Sequence, residues 1–207
     1  MDIVLATRNK NKVEEIKKIF ALQGETAENV SGINIFTLDD FPGCEDVIED
    51  GETFEANAVK KAVYISECAG MTAIADDSGL EVDALHGAPG VLSARFAGKS
   101  SDDRANLEKL LNKMKDVSHE KRNARFVCCI SMASKRGVKT FFGYIRGKIA
   151  TEPRGENGFG YDPVFYPEGH NRTFAEMNDE EKNAISHRGN ALRALQRHLL
   201  EKKGEGY

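Results

Sequence analysis

The stretch DIVLATRNKNKVEEIKKIF, residues 2–20, decides the fold. Residues 2–6 carry the apolar run of a buried strand, and Val13, Ile16, Ile19 and Phe20 then recur at helical spacing. The chain therefore opens as strand, polar loop, helix, which is the beginning of an α/β architecture. The loop between the two elements, Thr7-Arg8-Asn9-Lys10-Asn11-Lys12, presents backbone N–H groups and a helix N-terminus, an arrangement that suits phosphate oxygens. Lys10 and Lys12 add charge, and Thr7 and Asn9 add hydrogen bonds. The glycine scaffold and G-K-[ST] ending of a standard phosphate loop are absent, and a solvated basic helix start explains the same residues.

Working outward, residues 33–38 read as a second strand, and Phe54, Ala58, Ala62, Ile65 and Ala69 mark one face of a helix over 53–68. Residues 72–75 form a short strand. Residues 80–85 alternate apolar and acidic side chains like a half-buried strand, and Gly87, Pro89 and Gly90 force a loop. A helix over 102–115 follows, capped by Ser101 or Asp102. Residues 124–133 and 139–149 pair as an antiparallel hairpin around the polar turn at 135–137. Ala191, Leu192, Leu195 and Leu199 mark the last helix, preceded by a helical turn at 179–184 that Asn178 caps. The pattern predicts one α/β domain over 1–207, a long mixed β-sheet flanked by helices in two lobes forming a central cleft, with 202–207 as a flexible tail.

Of 207 residues, 29 are Lys or Arg and 33 are Asp or Glu, a formal net charge of −4. No long basic run marks a surface for polymeric nucleic acid, whereas a single nucleotide needs only a few local cations. The cysteines at 44, 68, 128 and 129 show no C-x-x-C spacing. No signal peptide or membrane-spanning stretch is present in the sequence, so a cytoplasmic protein with reduced thiols and no zinc site is expected.

Three further stretches carry candidate chemistry. Asp76-Asp77-Ser78-Gly79 follows the strand at 72–75. Two adjacent carboxylates delivered beside a core repel one another unless a cation or donors hold them, which favours a hard metal or catalysis over an acidic turn. Glu45, Asp46, Glu49, Asp50 and Glu52 precede a helix N-terminus, where dipole complementation explains most of them; one could complete a metal shell, and Lys60 or Lys61 could reach a phosphate. GFGYDPVF at 158–165 and SHRG at 186–189 read together as a pocket. Gly158 and Gly160 let the backbone turn, Phe159 and Tyr161 offer stacking faces, and Asp162, His187 and Arg188 offer polar edges. By themselves, His187 and Arg188 fit a solvated helix start. Ser78 lacks a nearby base and a G-x-S-x-G elbow, so attack by water fits better than a serine nucleophile.

Taken in order, TRNKNK at 7–12, EDGETFEANAVKKA at 49–62, IADDSGLEVDAL at 74–85, GAPGVLSARFAG at 87–98, PRGENGFGYDPVF at 153–165 and EEKNAISHRG at 180–189 resemble the inosine triphosphate pyrophosphatase family. Arg8 stands where many members have glycine. The resemblance implies Mg²⁺-dependent hydrolysis of non-standard purine nucleoside triphosphates (ITP, dITP, XTP) to the monophosphate and pyrophosphate by a homodimer. Carried over residue by residue, Thr7, Arg8, Asn9, Lys10, Asn11 and Lys12 would hold the triphosphate with Lys61. Asp77 would act at the metal and on the attacking water, with Glu49 as second metal carboxylate and Asp76 as either a further ligand or a turn cap. Ser78, Phe159, Gly160, Tyr161, Asp162, Lys182, His187 and Arg188 would line the substrate and select its base. Two other readings compete: a diphosphatase acting on modified pyrimidine nucleotides, as in the Maf-like proteins, and a nucleotide-binding regulator without catalysis.

Overall fold

The computed structural model describes residues 1–22, 33–98 and 102–204. Among the described residues, six strands form one sheet: β1 (Asp2–Leu5), β2 (Asn34–Phe36), β3 (Thr72–Val82), β4 (Asn123–Ser134), β5 (Gly137–Ile149) and β6 (Phe165–Pro167), in the order β2-β1-β3-β4-β5-β6. β1 runs parallel to β2 and β3, and β5 pairs antiparallel with β6, so the sheet is mixed as expected. The helices are α1 (Lys10–Leu22), α2 (Phe54–Ala69), α3 (Asp103–Met114), α4 (Asp179–Ile185) and α5 (His187–Gly204). Among the described residues, no helix is long and apolar enough to cross a membrane.

The chain divides into two compact units, with boundaries inside β3, β4 and β5 and at the start of α5. The first holds the described residues within 1–77, 128–143 and from 188 onward. Strand alternation gives its part of the sheet two chemically different faces. Ile3, Leu5, Ile74, Cys128 and Ile130 pack with Ile16, Ile19 and Phe20 of α1 and with Leu192, Leu195 and Leu199 of α5. Val4, Ala6, Ala73, Ala75 and Ala133 pack instead with Ala62 and Ile65 of α2. Small side chains on both strand and helix let α2 lie close to the sheet. Thr53 caps α2 by accepting from the Ala56 N–H at 3.0 Å, and Gly70 ends it in the left-handed region at φ 67°.

The second unit, residues 78–127 and 144–187, is built on Leu80, Val82, Phe126 and Ile149 packed with Leu107, Leu110 and Met114 of α3 and with Phe165, Phe174 and Met177. The buried guanidinium of Arg122 donates to the carbonyls of Met114, Val117, Ile149 and Ala150, tying the end of α3 to the end of β5. Asp102 caps α3, and Asn178 with Glu181 forms a reciprocal cap on α4.

Four expectations need correction. The strands expected at 72–75 and 80–85 are one strand, β3, that runs without a break through Asp76, Asp77, Ser78 and Gly79 and ends at Val82. The carboxylates therefore lie in mid-strand, held extended by cations from other elements. Phe165, the last residue of the stretch read as a pocket, opens the edge strand β6. The tail expected at 202–207 is helical as far as Gly204, and 205–207 lie outside the described residues. Cys44 and Cys68, expected as reduced thiols, are joined in a disulfide, while Cys128 and Cys129 are free and buried. The expected hairpin is present, since only two residues separate the neighbouring strands β4 and β5, a connection open only to antiparallel strands.

Candidate active site

Alternation along β3 sends Asp76 toward the face covered by α1 and α5, and Asp77 toward the face covered by α2. The Asp76 side chain has no solvent exposure. Its Oδ1 pairs with the Lys12 ammonium, and its Oδ2 accepts from Arg188 Nε at 3.1 Å and from the Cys128 thiol at 3.0 Å. Arg188 pairs in turn with Glu15 of α1. Burial alone would raise the Asp76 carboxyl, but Arg188 and Lys12 hold it well below the usual carboxylate range. These partners occupy both oxygens. Asp76 thus serves as the counter-charge to Lys12 and Arg188 in this structure.

Asp77 is built differently. Its Oδ2 is buried without a hydrogen-bond partner, and Lys61 Nζ lies 4.0 Å from Oδ1. Burial pushes the carboxyl up to about 6 against the opposite pull of Lys61 and Lys12. Lys61, on the buried face of α2, donates to the Asp76 carbonyl at 2.7 Å and pairs with Glu49. One ammonium therefore holds the segment bearing Glu49 against the strand bearing Asp77. Asn57, one helical turn before Lys61, accepts from the Gly51 N–H at 2.8 Å and hydrogen-bonds Asp77, lowering its pKa. A Cβ on Gly51 would come within 2.7 Å of Asn57 Oδ1, so this approach requires glycine.

The loop before α1 is capped by its own side chains. Thr7 Oγ1 accepts from the Asn9 N–H and Asn9 Oδ1 accepts from the Lys12 N–H, each at 3.2 Å. Lys10 and Asn11 are exposed on the first turn of α1. Arg8 turns to the acidic segment, donating to Asp46 at 2.9 Å and to the Cys44 carbonyl at 3.0 Å.

Within the second unit, the turn at 158–162 folds around Asp162. That buried carboxylate accepts from the Phe159 N–H at 2.9 Å and from Lys182 Nζ at 2.6 Å, and Lys182 Nζ lies 5.0 Å from the centre of the half-buried Phe159 ring. Gly158, at φ 73°, must lack a side chain, because a Cβ there would collide with the Asp162 carboxylate. The Gly160 N–H donates to Asp103 at 2.9 Å. His187 is buried, its ring stacked on Phe126 at 4.6 Å between centroids.

Two of the expected substrate residues have protein partners that the sequence does not reveal. Tyr161, expected as a stacking face, is 5% exposed and donates its hydroxyl to the Ser93 carbonyl at 2.9 Å, so it supports the turn. Arg188, expected to read a base, is bound by Asp76 and Glu15 within the first unit. Ser78 follows Asp77 on β3 and is half-buried. Sequence reasoning passed over Asn57, Glu15 and Cys128. Asn57 had a signal, a polar residue on the apolar face of α2 one turn from Lys61; the other two had none.

A hard divalent cation fits this chemistry. Asp77 offers a buried oxygen lacking a partner, Glu49 offers a partly exposed carboxylate on the same lysine, and Mg²⁺ commonly takes one or two carboxylates with phosphate and water completing its shell. Among the described residues, no group of three or more His, Cys, Asp and Glu side chains is placed to hold a metal ion by itself.

Residues 3–198 match the model of the Ham1 family, and the chain belongs to that family. It is 49% identical over 194 residues to a dITP/XTP pyrophosphatase of Desulforamulus reducens, covering 93% of this chain and 92% of that one. It is 48% identical over 198 residues to a protein of the same name in Geobacter sulfurreducens, covering 95% and 96%. The solved Ham1 protein of Staphylococcus aureus superposes with a TM-score of 0.84 at 42% identity, covering 99% of this chain and 100% of that one. The family resemblance read from the six ordered motifs is thereby shown.

Proposed function

We propose that this enzyme is a nucleoside triphosphate pyrophosphatase that hydrolyses non-standard purine nucleotides, dITP, XTP and ITP, to the monophosphate and pyrophosphate. The observation that carries the reading is Asp77, a carboxylate with one oxygen buried and unpartnered and its pKa raised by burial to about 6, set beside Lys61. A carboxylate with that pKa is suited to orient a water molecule and take its proton near neutral pH. Lys12 and Lys61, with the N-terminus of α1, supply positive charge for a triphosphate.

Glu49 and Asp77 would hold Mg²⁺. When bound, the ion would offset phosphate charge and favour ionisation of water. Lys61 orients Glu49, and Asn57 fixes Asp77, so that the two carboxylates keep their positions as substrate enters. Pyrophosphate leaves when water attacks the α-phosphorus. The Phe159 ring would stack on the base, while Lys182 and His187 would donate to its 6-keto oxygen. Adenine presents an amino donor there, which would set donor against donor and penalise ATP. The enzyme is proposed to act as a cytoplasmic homodimer.

The test is pyrophosphate release from dITP, XTP, ITP, GTP, ATP and dTTP, each with Mg²⁺ and with excess chelator. Metal-dependent release concentrated on the first three is expected. Equal release from all six would remove the base assignment, and preference for dTTP would move the enzyme to the modified-pyrimidine class.

A further inference from the structure

We propose that Cys44 and Cys68 form a thiol–disulfide exchange site, taking a dithiol or its disulfide as redox partner, whose state sets how firmly the segment carrying Glu49 is held. The role given to Glu49 rests on the function proposed above. Between Leu38–Asp40, a short 3₁₀ turn, and α2 the chain has no helix or strand, and Glu49 lies in this stretch. Its non-covalent ties are the surface pairs of Arg8 with Asp46 and Lys60 with Asp50, the Arg8 bond to the Cys44 carbonyl, the Gly51 N–H bond to Asn57, and the pair of buried Lys61 with half-exposed Glu49. Exposed ion pairs hold a loop weakly. The covalent tie is the disulfide, which joins the start of the segment to the last turn of α2 across 24 residues. Asn57 and Lys61, the groups that fix Asp77 and Glu49, lie within the span it closes.

The two sulfurs differ in access. Cys44 is 2% exposed, whereas Cys68 lies on the exposed side of α2. A thiolate of the dithiol attacks the Cys68 sulfur, the sulfur–sulfur bond breaks, and Cys44 leaves as a thiolate and takes a proton. The second thiol then attacks the mixed disulfide and frees Cys68 as a thiol. The protein gains two electrons and two protons, and the dithiol becomes a disulfide; oxidation reverses both steps. Cys128 and Cys129 do not compete, because both are buried and burial raises both thiols, Cys129 to about 12.

Reduction lets the 41–53 segment sample geometries in which Glu49 is away from Lys61. The apparent metal affinity falls by the fraction of chains that keep the competent geometry. Full-length oxidised protein is compared with protein reduced by dithiothreitol, the redox state being read by alkylation and intact mass. The two readouts are hydrogen exchange over residues 41–53 without ligand and the Mg²⁺ concentration giving half-maximal pyrophosphate release from dITP. Reduction is expected to speed exchange in this segment and to raise the Mg²⁺ requirement roughly three- to tenfold. Cys44→Ser and Cys68→Ser should each sit at the reduced value with or without dithiothreitol. Unchanged exchange and Mg²⁺ requirement after full reduction would overturn the proposal, as would failure of the bond to form in the full chain under oxidised glutathione. Absence of pyrophosphate release in both states would instead defeat the functional reading, and the exchange measurement would still decide the tether.

Discussion

Asp76 and Asp77 are adjacent on β3, yet the pleat of one strand gives them opposite surroundings. On the side of α1 and α5, Asp76 has no exposed surface and meets Lys12, Arg188 and the Cys128 thiol, so its charge is fully answered. On the side of α2, Asp77 keeps an oxygen without a partner and a carboxyl raised to about 6. The first arrangement answers both oxygens, and the second leaves one oxygen without a partner. The second unit repeats the first arrangement in Asp162, whose carboxylate is spent on Lys182 and on its own turn. A buried carboxylate is therefore a candidate for chemistry when its partners leave something unanswered, not simply when it is buried and charged.

The largest break in this contrast is Asp77→Asn. Turnover should fall by about 10²–10⁴-fold if the carboxylate handles the proton of the attacking water. Stability in urea should hold or rise, because a desolvated charge has been removed. Lost turnover together with lost stability would make Asp77 structural like its neighbour. Asp76→Asn should do the reverse, costing about 3–5 kcal/mol by leaving Lys12 and buried Arg188 short of a counter-charge. Denaturant unfolding measures this, and an unchanged midpoint would contradict the counter-charge role.

Gly158→Ala sharpens the comparison for Asp162. The alanine must adopt φ near 73° and displace a buried carboxylate, which should cost about 1–3 kcal/mol and weaken substrate binding while leaving the Mg²⁺ requirement alone. Gly160→Ala is its control, also at positive φ but with open space around the new Cβ, and should cost less. The smallest effect belongs to Lys60→Ala. Lys60 pairs with exposed Asp50 at 2.6 Å, and its loss should leave both melting temperature and turnover at their original values.

Local order was legible where the signal was local. The apolar face of α2, the Asn178 cap on α4 and the chain's opening in strand and helix follow from residue spacing alone. The continuity of β3 was not legible, because the groups that make two mid-strand carboxylates tolerable are Lys61, Lys12 and Arg188, which lie 15, 64 and 112 residues from Asp76. Read without those partners, DDSG looks like a turn. The disulfide was equally hidden, since Cys44 and Cys68 have no diagnostic spacing and the chain's composition suggests reduced thiols. In the candidate site, Asp77, Lys61 and Glu49 stood out once the ordered motifs were read as a family pattern. The separation of Asp76 from Asp77, and the partners that Arg188 and Tyr161 take within the protein, depend on side-chain contacts that no spacing rule supplies.

In the proposed reaction, water oriented at Asp77 attacks the α-phosphorus. Hydrolysis of dITP in oxygen-18 water, with both products analysed by mass spectrometry, tests it most directly. The account predicts the heavy oxygen in the nucleoside monophosphate and none in the pyrophosphate, with incorporation reduced to near background in Asp77→Asn. Label in the pyrophosphate would place the attack on the β-phosphorus and contradict it.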